Sequence, residues 1–247
     1  MLTPGFAAEA VDASGDARWR AAEAHWGTDA MQASKQRLLA EHSGGRVTLL
    51  EVDRMEGLHV DDDWEGRWDV TLAHGDDEGR FYLRSEGEYE AGVGLSEAEF
   101  YAGYSLPIAP FWNFQAGLRH DSRPHRGRSF IGVGLEGTLP FWVEMHAEFY
   151  AAEDGQALMR LEAEQDIRLA RRWRLQPHAE VEMALKEQAR FELRPGYNEA
   201  QLGVRLFFDI RPDVSTYIGY EYGHLALDQD DDDRTQSKYS FGFRFWW

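Results

Sequence analysis

The sequence contains no cysteine, which excludes disulfides, thiolate metal sites and a cysteine nucleophile. Positive charge is scarce, since 26 Lys and Arg face 44 Asp and Glu and give a net charge of −18. Nucleic acid is therefore excluded as a partner, because binding it requires a basic surface. The mean hydropathy is −0.57, and the longest charge-free apolar stretch, Tyr104 to Leu118, is interrupted by Pro107 and Pro110. A helical membrane span needs roughly 20 continuous apolar residues, so a helical bundle in the membrane is also excluded.

Aromatic residues are abundant, at 13%, and after Gly45 apolar and polar residues alternate with a period of two. The clearest case is the C-terminus, where one face of the chain carries Tyr239, Phe241, Phe243, Phe245 and Trp247. The residues between them are Ser240, Gly242, Arg244 and Trp246. Since residues two apart lie on the same side of a strand, this pattern predicts strands with one apolar and one polar face.

Turn signals divide the region after Gly45 into about twelve such runs. Short turns alternate along the chain with longer, more charged connections, for example Arg211-Pro212-Asp213 with 227–235. This asymmetry, together with an even strand number, is typical of outer-membrane barrels, which have short periplasmic turns and longer extracellular loops. The count predicts that both ends of the barrel lie on the periplasmic side.

The apolar face is expected to point outward, towards lipid, because the other face carries many charges. Aromatic residues also cluster where strands end and resemble interfacial girdles; they are Phe111-Trp112, Phe141-Trp142, Trp173, Tyr217 and Trp246-Trp247. We therefore predict an all-β fold, a transmembrane antiparallel up-and-down β-barrel of about 12 strands in the cell outer membrane, covering 46–247. A soluble barrel or sandwich is the alternative.

Residues 1–45 are predicted to form an N-terminal periplasmic extension with a helix over Asp16 to His42, which is rich in helix-forming residues and followed by Gly44-Gly45. No secretion signal is visible after Met1. Since an outer-membrane barrel must be exported, we expect that a signal peptide has been removed.

Two clusters on the predicted lumen face are candidate metal ligands. Alternation places Glu144, His146 and Glu148 on one face of one strand, and His178, Glu180 and Glu182 on one face of another. Imidazole combined with carboxylate suits Cu(II) or Zn(II). The alternative is that each histidine is a hydrogen-bonded interior residue. Met145 and Met183 would face lipid, which argues against thioether ligands for Cu(I).

Other polar clusters are weaker candidates. An outer-membrane hydrolase could use His59 near Asp61–Asp63, or His120 beside Asp121 and Ser122, but neither set forms a recognisable motif, so we predict that the chain is not an enzyme. His120, His125, Arg123, Arg126 and Arg128 could contact lipopolysaccharide phosphate. The acidic run Asp228 and Asp230–Asp233 is interpreted as a solvated loop, with divalent-cation binding as the alternative.

Several stretches, in this order and spacing, resemble the copper resistance protein B family of Gram-negative outer membranes. They are 30–42, Trp64-Glu65-Gly66, Arg84-Ser85-Glu86-Gly87-Glu88, 110–119, Leu175-Gln176-Pro177, 203–206, Tyr217-Ile218-Gly219 and 242–247. The resemblance implies an outer-membrane barrel that binds or passes copper ions, with outer-membrane lipid, lipopolysaccharide and a periplasmic copper protein as partners. The alternative is a narrow, general cation-permeable or structural barrel without metal specificity.

The chain departs from the family near its N-terminus. Family members usually carry a segment there that is rich in Met and His and is thought to bind copper. Residues 1–45 contain only Met1, Met31, His25 and His42. This difference directs attention to the barrel as the place where copper would bind.

Overall fold

The computed structural model describes residues 26–42, 45–60, 63–123, 127–185, 196–225 and 234–247. Helix α1 spans Thr28–His42 and has an acidic residue, Asp29, in its first turn, where the helix dipole favours negative charge. It confirms the C-terminal part of the predicted helix, whereas 16–25 lie outside the described residues. Within the ranges given, no helix is long and apolar enough to cross a membrane.

From Arg46 onward the chain forms a second unit, separate from that of the helix, and this unit is built from strands. In chain order they are β1 Val47–Val60, β2 Asp63–Asp76, β3 Gly79–Glu90, β4 Gly94–Ala109, β5 Trp112–Arg123, β6 Arg128–Leu139, β7 Val143–Ala151, β8 Ala157–Gln165, β9 Ile167–Ala170, β10 Trp173–Ala184, β11 Gly196–Arg211, β12 Val214–Leu225 and β13 Arg234–Trp246. A short 3₁₀ turn, Pro140–Trp142, precedes β7.

The strands form one closed antiparallel barrel. β8 and β9 both pair with β10 and are two parts of one span, interrupted at Asp166, so the wall has twelve spans. β1 pairs with β2 on one side and β13 on the other, and Leu50 and Trp247 exchange backbone hydrogen bonds of 2.7 and 2.8 Å across this seam. Closure leaves no unpaired edge among the described strands, as a strand structure in lipid requires. The predicted twelve-span barrel is confirmed.

The barrel is inverted relative to a soluble protein, with charged residues inside and apolar residues outside. The exposed fractions are 60% for Leu118, 68% for Ile131 and 62% for Leu202, whereas Arg119, Arg205 and Glu221 are 3%, 0% and 1% exposed. Successive side chains of a strand point to opposite faces, so a residue exposed on the outside, such as Leu118, is followed by one buried in the lumen, such as Arg119. The apolar outer surface is the surface that lipid covers in a transmembrane barrel.

Connections of two or three residues join the spans at one end, which also carries both termini of the barrel. Exposed aromatic residues surround this end, including Phe111, Phe141, Trp142 and Trp247. The prediction that Tyr217 belongs to an interfacial girdle was wrong. Tyr217 is 2% exposed and donates a hydrogen bond of 2.9 Å to Glu56 Oε2 inside the lumen. Its odd position on β12 places it on the polar face, together with Ser215 and Glu221.

Candidate metal site in the barrel lumen

The six predicted ligands lie on the lumen face of β7 and β10, and β8 stands between these strands. The pairing aligns three rows across β7, β8 and β10: Glu144 with Glu164 and His178, His146 with Glu162 and Glu180, and Glu148 with Arg160 and Glu182. Glu162 and Glu164 were not among the predicted ligands. The alternation of β8 was the signal that could have found them.

A cavity of about 190 Å³ occupies the half of the lumen nearer the short turns, and we call it the short-turn chamber. Four of the six predicted residues line it, namely Glu144, His146, His178 and Glu180. Further carboxylates come from Glu136 of β6, which is paired with His146, and from β1 and β2 on the opposite wall, which contribute Glu51, Asp53 and Asp69. The arrangement therefore surrounds one space with both imidazoles and with acids from several strands.

Negative charge in the short-turn chamber is only partly compensated. Among the described residues, none of the carboxylates of Glu51, Glu144, Glu162 and Glu164 makes an ion pair within 4.0 Å. Arg54 and Arg84 are the two cations in its lining. A space in which carboxylates outnumber cations in this way concentrates positive ions.

His178 is almost completely buried and contacts Glu221 across an intervening strand. Its Nε2 lies 3.3 Å from Glu221 Oε1, and the two side chains are 8% and 2% exposed. The contact passes over Gly203 of β11, which pairs with both residues, and a side chain at Gly203 would collide with the imidazole. The Nδ1 atom of His178 is buried and has no hydrogen-bond partner among the described residues.

Glu148 and Glu182 do not line the short-turn chamber. Glu182 forms an ion pair of 3.2 Å with Arg160, and Glu148 lies 3.8 Å from Arg84. Both carboxylates therefore have a cation beside them and differ from the unpaired acids of the chamber.

A second cavity, of about 150 Å³, lies nearer the other end, and we call it the long-loop chamber. Its lining is also acidic and includes Glu86, Glu88, Glu97, Glu99, Glu182 and Glu199 together with Arg67, Arg160 and Lys238. Five residues line both chambers and form what we call the shared layer: Arg54, Asp69, Arg84, Glu162 and Glu180. The lumen is thus two acidic spaces separated by a layer of mixed charge.

Most lumen arginines are fixed by several acceptors. Arg160 donates hydrogen bonds of 3.1–3.3 Å to Glu86, Tyr101, Glu99 and Glu182. Arg67 donates to Glu88 at 2.7 Å and to Glu221 at 2.9 Å. Such charge-assisted networks fill the interior of a narrow barrel and leave it with little open space.

The described part of the chain contains no group of three or more His, Asp or Glu side chains already arranged to hold a metal ion. The spacing of the strands separates the two predicted histidine ligands, because β7 and β10 are two strand positions apart, or about 10 Å. His146 and His178 therefore line one space without converging on one point. The six-residue ligand set stays a prediction.

Among the described residues, the hydrolase candidates are not brought together as a catalytic pair. His120 Nδ1 lies 2.9 Å from Ser129 Oγ, whereas Ser122 Oγ donates to the Ala98 carbonyl at 3.2 Å. His59 packs edge-on against Trp64, with ring centroids 5.2 Å apart, and Asp61 and Asp62 lie outside the described residues.

The loop candidates are described only in part. Arg128 forms an ion pair with Asp154. His125, Arg126 and the acidic run at 228–233 lie outside the described residues, and nothing is described of the Arg123 side chain. Lipopolysaccharide contact and cation binding by these loops therefore stay predictions.

The model of the copper resistance protein B precursor family matches residues 46–247, which is the whole barrel. The chain belongs to this family. The copper resistance protein B of Escherichia coli is 30% identical over 187 residues, covering 75% of this chain and 62% of that protein. The copper resistance protein B homolog of Pseudomonas syringae pv. tomato is 29% identical over 231 residues, covering 89% of this chain and 77% of that protein.

Solved porins share the fold of this family member. The NanC porin superposes with a TM-score of 0.56 at 14% identity, covering 79% of this chain and 98% of the porin. The KdgM porin gives a TM-score of 0.51, also at 14% identity, with 80% and 98% coverage. Together with the family match, the likeness identifies the chain as a porin-like β-barrel of the outer membrane.

Proposed function

We propose that this copper resistance protein B family member binds copper in the short-turn chamber and passes it through the lumen across the outer membrane. The observation that carries the proposal is the chamber itself, in which His146 and His178 share one space with unpaired carboxylates. Imidazole gives preference for Cu(II) over Mg and Ca, which prefer oxygen ligands alone. Family membership supports copper as the ion handled.

The absence of a converged ligand set in the described residues suits an ion that must leave again. Conduction requires binding that is favourable enough for entry and weak enough for release, over several neighbouring sites. The two chambers supply such a series, from the long-loop end to the short-turn end. At the short-turn rim, a further depression shares Glu136, Glu144 and His146 with the chamber, and there we place exchange with a periplasmic copper protein.

The test is copper binding to the detergent-folded protein, with Zn and Mg as competitors. We expect Cu-preferring binding, and we expect the double substitution His146→Ala/His178→Ala to weaken it by about tenfold or more, because ligands and their neighbours typically contribute at that level. The matched control is His74→Ala/His120→Ala, which removes two exposed histidines. Circular dichroism and heat-dependent gel mobility would verify that each variant is folded.

Unchanged copper affinity in the His146→Ala/His178→Ala protein would remove the short-turn chamber as the binding site. Binding no tighter than that of Mg would instead favour the alternative function, a narrow barrel that is generally cation-permeable or structural. A hydrolase is less favoured, because His120 and Ser122 have separate hydrogen-bond partners.

A further inference from the structure

We propose that Arg54 determines the ion specificity of the lumen: its guanidinium is a tethered cation between the two chambers, which multivalent metal ions displace and monovalent ions do not. The inference rests on the proposed passage of ions through the lumen. It concerns a residue that neither the alternation pattern nor the family resemblance singled out.

A β-bulge in β1 places Arg54 in the lumen. Val52 pairs with Val70 and Arg54 pairs with Asp69, so Asp53 is an extra residue on this strand. Regular alternation would point Asp53 and Arg54 to opposite faces, but both line the short-turn chamber. Bulges commonly re-aim a side chain in this way.

Arg54 also occupies the junction of the two spaces. It lines both chambers, as do the carboxylates of Asp69, Glu162 and Glu180. An ion moving between the chambers must therefore pass the guanidinium and these three acids. Arg84 is the second cation in this layer, but it is held by an ion pair with Glu86 and by contacts of 3.8 Å with Asp69 and Glu148.

Arg54 is tied less firmly than the other lumen arginines. Its one ion pair is with its neighbour Asp53, at 3.6 Å, and its Nε is buried without a hydrogen-bond partner in the described structure. Arg160, by comparison, has four acceptors within 3.3 Å. A guanidinium with one long contact can move aside at little enthalpic cost.

The charge of the entering ion then decides whether it passes. Glu162 and Glu180 attract the Arg54 guanidinium without forming an ion pair with it. A divalent ion brings twice the charge of the guanidinium to these two acids and Asp69, so it takes the place of the guanidinium beside them. A potassium ion brings the same charge as the guanidinium, without the advantage of being tethered, and is excluded. Specificity of this kind comes from repulsion as well as attraction.

The test is the potassium conductance of the protein in planar bilayers. We expect Arg54→Gln to raise the potassium conductance about fivefold over the natural protein, the effect of one unit charge about 4 Å from the ion in water. Arg54→Lys, which keeps the tethered charge, should conduct like the natural protein. Lys238→Gln is the matched control, because it removes one lumen charge from the long-loop chamber alone and should change conductance by less than about twofold.

Equal conductance in Arg54→Gln and the natural protein would overturn the inference, and so would an increase no larger than that of Lys238→Gln. Heat-dependent gel mobility would verify folding, and Arg54→Met replaces the Gln variant if that protein does not fold. If every variant is electrically silent, Arg54 is not the barrier and the inference fails. The proposed function is tested separately, by copper binding to the detergent-folded protein.

Discussion

At the scale of single residues, the contact between His178 and Glu221 depends on a glycine. A methyl group at Gly203 would meet the His178 imidazole and approach Glu221 Cγ to 2.9 Å. We expect Gly203→Ala to lower the free energy of unfolding by about 1–3 kcal/mol, the usual cost of overfilling a packed interior. Urea unfolding of the protein in lipid vesicles, followed by tryptophan fluorescence, would measure this change.

Gly223→Ala is the control for that substitution. Gly223 lies on the same lumen face, in β12, but among the described residues its added methyl group would meet nothing closer than Gln201 Cγ at 3.8 Å. It should therefore leave the free energy of unfolding nearly unchanged. If the two substitutions lowered the free energy of unfolding equally, the effect would come from the backbone of the strand. It would not come from a collision with His178 and Glu221.

At the scale of the strand, the direction of a side chain determines how much an introduced charge lowers the free energy of unfolding. Leu118 is central in β5 and 60% exposed on the outer face, so Leu118→Arg would place a guanidinium in the hydrocarbon layer. We expect it to lower the free energy of unfolding by about 2–4 kcal/mol, as for Arg at the bilayer midplane. Urea unfolding in vesicles would measure this cost.

The control for Leu118→Arg lies near a strand end. Tyr89→Arg, also on the outer face but next to the last residue of β3, should cost about 0–1 kcal/mol, because the penalty falls towards the interface. A cost as small for Leu118→Arg would contradict the assignment of this face to lipid.

Strand faces could be predicted from the sequence, but the register between strands could not. The alternation in β7 and β10 correctly placed Glu144, His146 and His178 on the lumen side, because the period of two is a local property of the chain. Their positions relative to Glu164 and Glu221 depend on register, which spans different strands and leaves no trace in either strand alone. The bulge at Asp53 and the interruption at Asp166 also could not be predicted. Each disturbs the regular strand at a position where the sequence has no proline or glycine to indicate an irregularity.

At the scale of the whole molecule, the structure shows where part of the net charge of −18 lies. Part of it lies in the two chambers, where carboxylates outnumber cations. Outer-membrane placement explains how an acidic chain can also be rich in aromatic residues, since each strand presents one face to lipid and one to the lumen. The fold alone does not determine ion preference, since a porin of 14% identity shares it. Ion preference in the proposed passage must come from the residues that line it.

The barrel contains every element that its closure and the proposed copper site require. The seam between β1 and β13 begins at Val47 and ends at Trp247, and all residues of both chambers follow Arg46. We therefore expect a protein lacking residues 1–45 to fold in detergent and to bind copper within about twofold of the full chain's affinity, a difference that corresponds to about 0.4 kcal/mol.

Isothermal titration of both proteins with copper, each in the presence of excess Mg, would measure this, and heat-dependent gel mobility would establish that the shortened barrel is folded. A loss of copper affinity in a folded shortened barrel would place the ligands in residues 1–45, where His25, His42, Met1 and Met31 are the candidates. If the shortened barrel keeps its copper affinity and then loses it on the double substitution His146→Ala/His178→Ala, the ligands lie in the short-turn chamber. No other histidine lines either chamber in the described structure.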